Sequence, residues 1–322
     1  MTCLNFDIFT MENQSPETYV KLTIFIGIFA VGFIGNLLTI IVIYRKGQTR
    51  SPYQLLVLNL ASSDLLFILS APPTTSYELF AVIGKSQFYC RVVTPMVTMF
   101  YFLSIFTITS MAIQRCRSIV LPHRPNLSKK MMYAWIAAIW FLSFIIILPL
   151  AIVTELNEKS QCEENWPSFS HRQAYTMALF LLQYLIPLII IATIYVKIAR
   201  RLLSAEVSLS RERNASFTTD EQKAAEARRI KTRNQAIRTL AVVVIVFAIC
   251  LFPGQISWLL MDFGGGGKAL KKAVASLLAF SNVLDMLHAC VNPVIYCLLN
   301  ERYRKEYINC LVYLFRCNRE NN

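Results

Sequence analysis

Charged residues and histidines are scarce in this chain. Charged residues make up 16% of it and three residues are histidine, whereas soluble domains carry roughly 25% charged residues. The sequence has no His-Glu-x-x-His zinc motif and no repeated halves with broken helices, so it lacks the marks of a zinc protease and of a secondary transporter. Apolar residues make up 55%, which indicates a polytopic membrane protein. The net charge of +13 is carried between hydrophobic segments instead of along one exposed face, so we predict no nucleic-acid partner.

The segment at residues 90–122 shows the membrane character most clearly. Between Arg91 and Arg115 it has more than twenty uncharged residues, enough at about 1.5 Å per residue to cross a hydrocarbon layer of about 30 Å. Its many hydroxyl side chains indicate that it faces other helices instead of lipid. Cys90 at one end favours an oxidising compartment, and Arg115 at the other end must find a partner or reach water.

Seven such segments are predicted along the chain. The spans lie at about residues 20–44, 55–77, 91–115, 132–153, 173–202, 241–262 and 273–299. A polar loop is predicted over 204–219, and a charged helix over 220–240 runs into the sixth span. Residues 301–315 alternate basic with apolar side chains, which predicts an amphipathic helix on the membrane surface. The predicted fold is therefore an all-α membrane protein, a seven-transmembrane helix bundle with a short amphipathic surface helix after the seventh span.

The distribution of basic residues predicts the orientation. The N-terminal segment and the loops after spans two, four and six lie on one side of the membrane and hold eight of the thirty-two Lys and Arg residues. The other loops and the C-terminal tail lie on the opposite side and hold the other twenty-four. By the positive-inside rule, residues 1–19 are extracellular, residues 20–299 form the bundle in the plasma membrane, and residues 300–322 are cytoplasmic. Asn13 begins a glycosylation tripeptide in the extracellular segment.

The cysteines divide by compartment. Cys90 and Cys162 both fall on the oxidising side, which predicts a disulfide between them. Cys310 and Cys317 lie near the surface helix and are candidates for palmitoylation, with unmodified thiols as the equal alternative. The remaining cysteines within spans are expected to be small apolar residues.

One set of markers, at least one in each span and in order, resembles the rhodopsin-like (class A) G-protein-coupled receptors. The markers are Gly35-Asn36, residues 60–64 (Leu-Ala-Ser-Ser-Asp), Arg115, Trp140, Pro187, Tyr195, Phe247, Cys250, Pro253 and residues 292–296 (Asn-Pro-Val-Ile-Tyr). No single marker is specific, but together they cover nearly the whole chain.

The chain departs from the family pattern at several positions. Gln114 and Cys116 flank the arginine of the third span, where the family usually has Asp and Tyr. Arg233 stands where the family has an acidic partner, Leu251 replaces the usual tryptophan, and His288 replaces a common asparagine. These changes concern switching and leave the predicted fold intact.

The resemblance implies two internal sites. An ion pocket surrounds Asp64, a mid-membrane charge of the kind that is usually functional, with Asn36, Ser104, His288 and Asn292 as its other members. Sodium is the implied ion, and a hydrogen bond from His288 to Asp64 is the alternative. The activation switch consists of Gln114, Arg115, Tyr195, Ile105, Pro187, Phe247, Leu251, Pro253, Asn292, Pro293 and Tyr296.

The expected ligand is a cationic peptide. Val97 and Met286 replace the residues that bind amines and retinal in related receptors, and an acidic vestibule favours a positively charged ligand. The chain resembles neuropeptide Y and RFamide receptors, in which the acid at the position of Asp262 meets an arginine of an amidated peptide. The predicted ligand-binding residues are Asp262, Glu78, Glu163, Glu164, Trp258, Gln255, Val97 and Thr75. The alternative for the acids is a solvated rim, and the alternative for Trp258 is ordinary packing.

The partners implied by the resemblance are a heterotrimeric G protein, arrestin and membrane lipids. A receptor for a lipid or another small non-amine ligand is the alternative within the family. From another class, an intramembrane enzyme could pair Asp64 with Asp285, but Asp285 lacks the Gly-x-Gly-Asp setting of such proteases. GTP-dependent ligand affinity favours a receptor, whereas peptide-bond cleavage or solute flux favours an enzyme or a transporter.

Overall fold

The computed structural model describes most of the chain. The described residues are 16–45, 51–80, 86–121, 127–158, 161–213, 220–265, 267–299 and 301–320. Within them, no side chain is described at 16–18, 21, 71–80, 202–213, 220–233, 236, 268, 279, 302 and 314–320. The predictions for Asn13 and for the side chains of Thr75, Glu78, Arg233 and Cys317 therefore lie outside the described residues.

The described residues form nine α-helices and one short hairpin. The helices are α1 Pro16–Arg45, α2 Pro52–Phe80, α3 Thr94–Val120, α4 Lys129–Val153, α5 Phe169–Phe180, α6 Ile186–Arg213, α7 Asp220–Phe263, α8 Lys268–Leu299 and α9 Glu301–Glu320. π-helical turns at Tyr89–Val93 and Leu181–Leu185 precede α3 and α6, so that α5, the second turn and α6 make one span. Seven segments are long and apolar enough to cross a membrane, which confirms the predicted seven-span all-α fold.

The largest error of the sequence interpretation concerns the end of α6. The polar loop predicted from residue 204 is wrong as far as Arg213, because the helix continues to that residue. Residues 204–213 contain no Gly or Pro and include Ala, Glu, Leu and Arg, which are good helix formers. Polarity alone therefore did not indicate a loop.

A two-stranded hairpin between α4 and α5 was missed by the sequence interpretation. β1 Thr154–Leu156 and β2 Cys162–Glu164 pair antiparallel, with Leu156 opposite Cys162. Cys162 is bonded to Cys90 in the turn that precedes α3, which confirms the predicted disulfide. The bond fastens the hairpin to the top of the third span. We call this end of the bundle the disulfide end and the opposite one the α9 end.

α3 forms the interior of the bundle, where it packs against α2, α4 and α6. Its hydroxyl side chains are satisfied as predicted: Thr107, Thr109 and Ser110 donate to the carbonyl four residues earlier. Asn59 of α2 donates to Thr107 Oγ1 over 2.8 Å and accepts from Trp140 Nε1 of α4 over 2.8 Å. The polar residues of α3 therefore join helices instead of facing lipid.

α1 and α8 approach closely because Gly35 has no side chain. A Cβ added at Gly35 would lie 2.8 Å from Pro293 Cγ, which is closer than carbon atoms pack. Beside it, Asn36 Nδ2 donates to the carbonyl of Ala289 over 2.9 Å. The marker pair at 35–36 therefore fastens the first span to the seventh.

α9 packs against the end of the bundle opposite the disulfide, where Tyr303, Tyr307 and Cys310 are buried. The hydroxyls of Tyr307 and Thr39 are 2.6 Å apart. Burial raises the pKa of Tyr307 to about 12, although the contact with Thr39 opposes the rise, so the phenol stays protonated at neutral pH. Cys310 is 2% exposed. The predicted palmitate at Cys310 does not fit this packing, because a buried thiol is not accessible to acylation.

Tyr307→Phe is expected to lower stability by about 0.5–1.5 kcal/mol, the usual net contribution of a hydrogen bond. The loss should fall at the lower end, because Thr39 keeps its bond to the Gly35 carbonyl at 2.8 Å. The measurement is the thermal unfolding midpoint of the purified protein. The control is Tyr133→Phe, whose ring is 54% exposed, and equal midpoints for the two variants would contradict the prediction.

Candidate functional site

A cavity of about 130 Å³ lies toward the disulfide end, between α3, the span of α5 and α6, α7 and α8. Three of the predicted ligand-binding residues, Glu164, Gln255 and Trp258, line it. The rest of the lining comes from Thr98, Tyr101, Leu150, Arg172, Tyr175, Thr176, Leu179, Phe180, Gln183, Leu251, Gly254 and Asp285. The cavity therefore combines aromatic and aliphatic walls with a few polar groups, as small-ligand and peptide-anchor sites do.

Polar side chains of the cavity wall are held in place by neighbours. Gln255 of α7 donates to Gln183 Oε1 across the cavity over 2.9 Å. Glu164, at the end of β2, accepts from Trp166 Nε1 over 2.7 Å, and the Trp166 ring packs on Tyr175 at 4.9 Å between centroids. The hairpin thus places one of its carboxylates at the cavity.

Asp262, the predicted acceptor of a ligand cation, is paired inside the chain. Its side chain is 1% exposed, and Arg172 Nε lies 2.8 Å from Oδ1, although the pair lacks the alignment of a hydrogen bond. Thr176 donates to Oδ2 over 2.6 Å, and Gln173 donates to the backbone carbonyl of Asp262 over 2.8 Å. Asp262 does not line the cavity, and a ligand cation would have to displace Arg172 to reach it.

Two other predicted contacts also lie away from the cavity. Val97 is partly buried and packs against a core cluster. The lining residues of α3 are its neighbours Thr98 and Tyr101, because a helix turns each successive side chain by about 100°. Glu163 is exposed on the hairpin and accepts a weak bond from Asn157 at 3.3 Å. It therefore belongs to the solvated rim in this conformation.

Asp64 is fully buried and accepts two hydrogen bonds. Ser104 donates to Oδ1 over 2.8 Å and Asn292 Nδ2 donates to Oδ2 over 2.6 Å. Asn292 presents its nitrogen, not its oxygen, and Asn36 bonds Ala289 instead. The two donors satisfy the Asp64 carboxylate in this arrangement, whereas the buried Oδ1 of Asn36 has no hydrogen-bond partner among the described residues.

His288 does not donate to Asp64, which corrects the alternative drawn from the sequence. Its Nδ1 lies 2.9 Å from the carbonyl of Asp285 on its own helix, and its buried Nε2 has no partner among the described residues. The ring instead stacks on Tyr101 at 5.6 Å and 21°, and meets Phe247 edge-on at 5.7 Å and 79°. His288 therefore connects the cavity wall to the predicted switch.

The predicted switch residues of the middle spans lie together. Ile105, Phe247 and Leu251 are at most 3% exposed and belong to one hydrophobic cluster, and Pro187 is buried as well. Leu251 also lines the cavity. A ligand in the cavity can therefore act on this cluster through Leu251 without an intervening layer.

At the α9 end, Arg115 has an aromatic partner in place of the missing acid. Its guanidinium carbon lies 3.7 Å from the centroid of the Tyr53 ring, and its buried Nε has no hydrogen-bond partner among the described atoms. Gln114 is 8% exposed. A cation over a ring face at this distance is attracted by the ring quadrupole.

Two backbone contacts fix the same end of α7. The hydroxyl of Tyr195 donates to the Ile237 carbonyl over 3.4 Å, and Gln235 donates to the Leu299 carbonyl of α8. The Tyr296 ring stacks on Tyr303 of α9 at 5.6 Å between centroids. The buried hydroxyl of Tyr296 has no hydrogen-bond partner among the described residues.

Comparison with known families decides the identity of this architecture. The family model described as 7 transmembrane receptor (rhodopsin family) matches residues 35–296, which is most of the chain and includes every predicted switch residue. The chain belongs to this family. It is thus a multi-pass membrane receptor of the rhodopsin type.

The receptor is similar along most of its length to receptors named for neuropeptides. Galanin receptor type 1 of Rattus norvegicus is 31% identical over 306 residues, which cover 90% of this chain and 82% of that protein. Neuropeptide FF receptor 1 of Rattus norvegicus is 28% identical over 324 residues, covering 95% and 73%. The QRFP-like peptide receptor of Branchiostoma floridae is 27% identical over 322 residues, covering 94% and 80%. The expected resemblance to neuropeptide receptors is confirmed.

The site residues of this rhodopsin-family receptor that the sequence did not indicate include Tyr101, Asp285, Arg172 and Tyr53. Tyr101 lies one helical turn after Val97, a spacing that could have indicated it. Asp285 was weighed only as a protease residue, although an acid inside an apolar span is a signal in itself. Arg172 and Tyr53 carried no signal, because their partners Asp262 and Arg115 are distant in sequence.

Proposed function

We propose that this receptor binds an extracellular, cationic, amidated neuropeptide in the cavity at the disulfide end and activates a heterotrimeric G protein at the α9 end. The relatives named for galanin, neuropeptide FF and QRFP-like peptides support a peptide ligand. The acidic groups of the cavity support a positive charge on the ligand, because complementary charge raises the encounter rate and favours correctly charged partners.

The observation that carries this proposal is the position of Leu251. It lines the cavity and belongs to the same cluster as Phe247 and Ile105. Packed interiors respond to an added group by switching between discrete arrangements instead of deforming smoothly. A peptide side chain pressed on Leu251 therefore shifts the cluster, and α7 with it, relative to α3.

The proposed orientation follows the basic residues. The start and the hairpin face outward, with a sugar on Asn13, and the tail faces the cytoplasm. Exposed basic side chains near the α9 end of α6 and α7 would meet the G protein, and the same surface would attract arrestin and anionic lipids. These side chains are Lys197, Arg200, Arg201 and Arg238.

The test is a calcium and cAMP screen of cells that express the receptor, with amidated peptides containing arginine applied first. We expect a concentration-dependent response that disappears in untransfected cells. Each active peptide is then paired with a copy in which citrulline replaces arginine, because citrulline keeps the shape and removes the charge. The cationic part of the proposal fails if both copies are equally potent, and the peptide part fails if only lipids or other small ligands produce a response.

A further inference from the structure

The cavity contains a carboxylate that has no assigned role. Asp285 projects from α8 into the lining, and Tyr101 of α3, whose phenol interacts electrostatically with it, lines the same cavity. The facing residue of α7 is Gly254, where an added Cβ would lie 3.9 Å from Asp285 Oδ1. Because Gly254 has no side chain, the space beside the carboxylate stays open.

The charge balance of the lining leaves Asp285 without a counter-ion. The other charged residues of the lining are Arg172 and Glu164. Arg172 is committed to Asp262 at 2.8 Å, and Glu164 is at the hairpin. The ion pairs found among the described side chains do not include Asp285. The inner part of the cavity therefore carries an uncompensated carboxylate.

We propose that Asp285 is the acid that receives the positively charged group of the ligand, a guanidinium or an ammonium, at the inner end of the cavity. The inference rests on the proposed peptide-receptor function and adds the residue that recognises the charge. Tyr101 can donate to one carboxylate oxygen, which leaves the other for the ligand. A charge-assisted hydrogen bond in such a water-poor site is roughly twice as strong as a neutral one.

This position also connects the ligand charge to the switch. Tyr101 stacks on His288 at 5.6 Å, and His288 meets Phe247 at 5.7 Å. A cation bound to the free oxygen of Asp285 acts on the carboxylate beside Tyr101, and Tyr101 and His288 are two rings in series that end at Phe247. Asp262, which is paired with Arg172 and does not line the cavity, offers no comparable route.

The experiment compares an arginine probe with its neutral copy on receptor variants. The probes are a hexapeptide amide ending in Arg-Phe and its citrulline counterpart, measured by G-protein activation, and Arg-Phe-amide alone, measured by thermal stabilisation of purified receptor without G protein. We expect the parent to prefer arginine by at least about 30-fold. Asp285→Asn should reduce this preference to about threefold or less and should abolish stabilisation by Arg-Phe-amide.

The controls separate a direct contact from a general loss of charge. Glu158→Gln removes one exposed acid of the hairpin loop and should keep the preference. Asp285→Ser is a second neutral variant in case Asp285→Asn does not reach the cell surface. The inference is overturned if neutral variants keep the arginine preference, if Glu164→Gln rather than Asp285→Asn removes it, or if the parent is not stabilised by Arg-Phe-amide. If peptides activate the receptor but the arginine and citrulline copies are equally potent, this inference is wrong and the peptide-receptor function is still supported.

Discussion

Arg172→Ala is expected to destabilise the receptor by about 3–5 kcal/mol, the range found when one partner of a buried ion pair is removed. The variant leaves the carboxylate of Asp262, 1% exposed, without its cation. The Thr176 hydroxyl at 2.6 Å stays in place, but a neutral donor compensates only part of a buried charge. The expected observation is a large fall in the thermal midpoint of purified receptor and reduced surface expression.

The two partners should behave unequally, because their exposure differs. Arg172 is 28% exposed, so after Asp262→Ala its guanidinium can turn toward water, whereas Asp262 cannot. We therefore expect Asp262→Ala to be milder than Arg172→Ala, and the double variant to recover part of the loss. A double-mutant cycle measures this coupling, and additive single effects would show that the pair contributes nothing.

The same variants decide between the two possible roles of Asp262. If Asp262 received the ligand cation, as the resemblance implies, Asp262→Ala would weaken agonist potency by about 2–5 kcal/mol. With Asp262 held by Arg172, we expect agonist potency to change by no more than about threefold once surface expression is matched. A loss of about 30-fold or more in Asp262→Ala would instead make Asp262 the acceptor of the ligand.

Tyr53→Ala is expected to raise ligand-independent signalling about tenfold. The family usually holds the arginine of α3 with a neighbouring acid, and this receptor has the neutral Gln114 there. The ring of Tyr53, 3.7 Å from the guanidinium of Arg115, supplies the restraint instead. A partly desolvated contact of this kind is worth up to about 2 kcal/mol, and about 1.4 kcal/mol is a factor of ten in population.

The comparison is G-protein activation without ligand at matched surface expression. Tyr53→Phe is the matched control, because it keeps the ring face and should signal like the parent. Gln114→Asp should lower the basal signal, since it returns a charge-assisted bond to Arg115. Equal basal activity in Tyr53→Ala and Tyr53→Phe would mean that other contacts, such as Gln235 with the Leu299 carbonyl, set the resting state.

Local pattern was enough for the seven spans, the surface helix and the disulfide. Long uncharged segments must fold as helices in lipid because their backbone groups have no water to bond. The pairing of Cys90 with Cys162 was predicted from their shared compartment, in which Cys3 is also expected. The pattern failed at residues 204–213, where polarity indicated a loop but helix propensity favours the observed helix. It also failed at the hairpin, whose strands are too short to give a periodic signal.

The partners of the charged residues were decided only by the tertiary structure. The sequence itself determined that Asp262 and Arg115 are charges near the ends of membrane spans, which must find partners. That Asp262 faces Arg172, that Arg115 lies on Tyr53, and that Asp285 opens onto the cavity depends on how helices distant in sequence rotate and pack. A helix presents a new face every residue, so a rotation of about 100° exchanges a cavity contact for a core contact, and tertiary packing alone fixes that rotation.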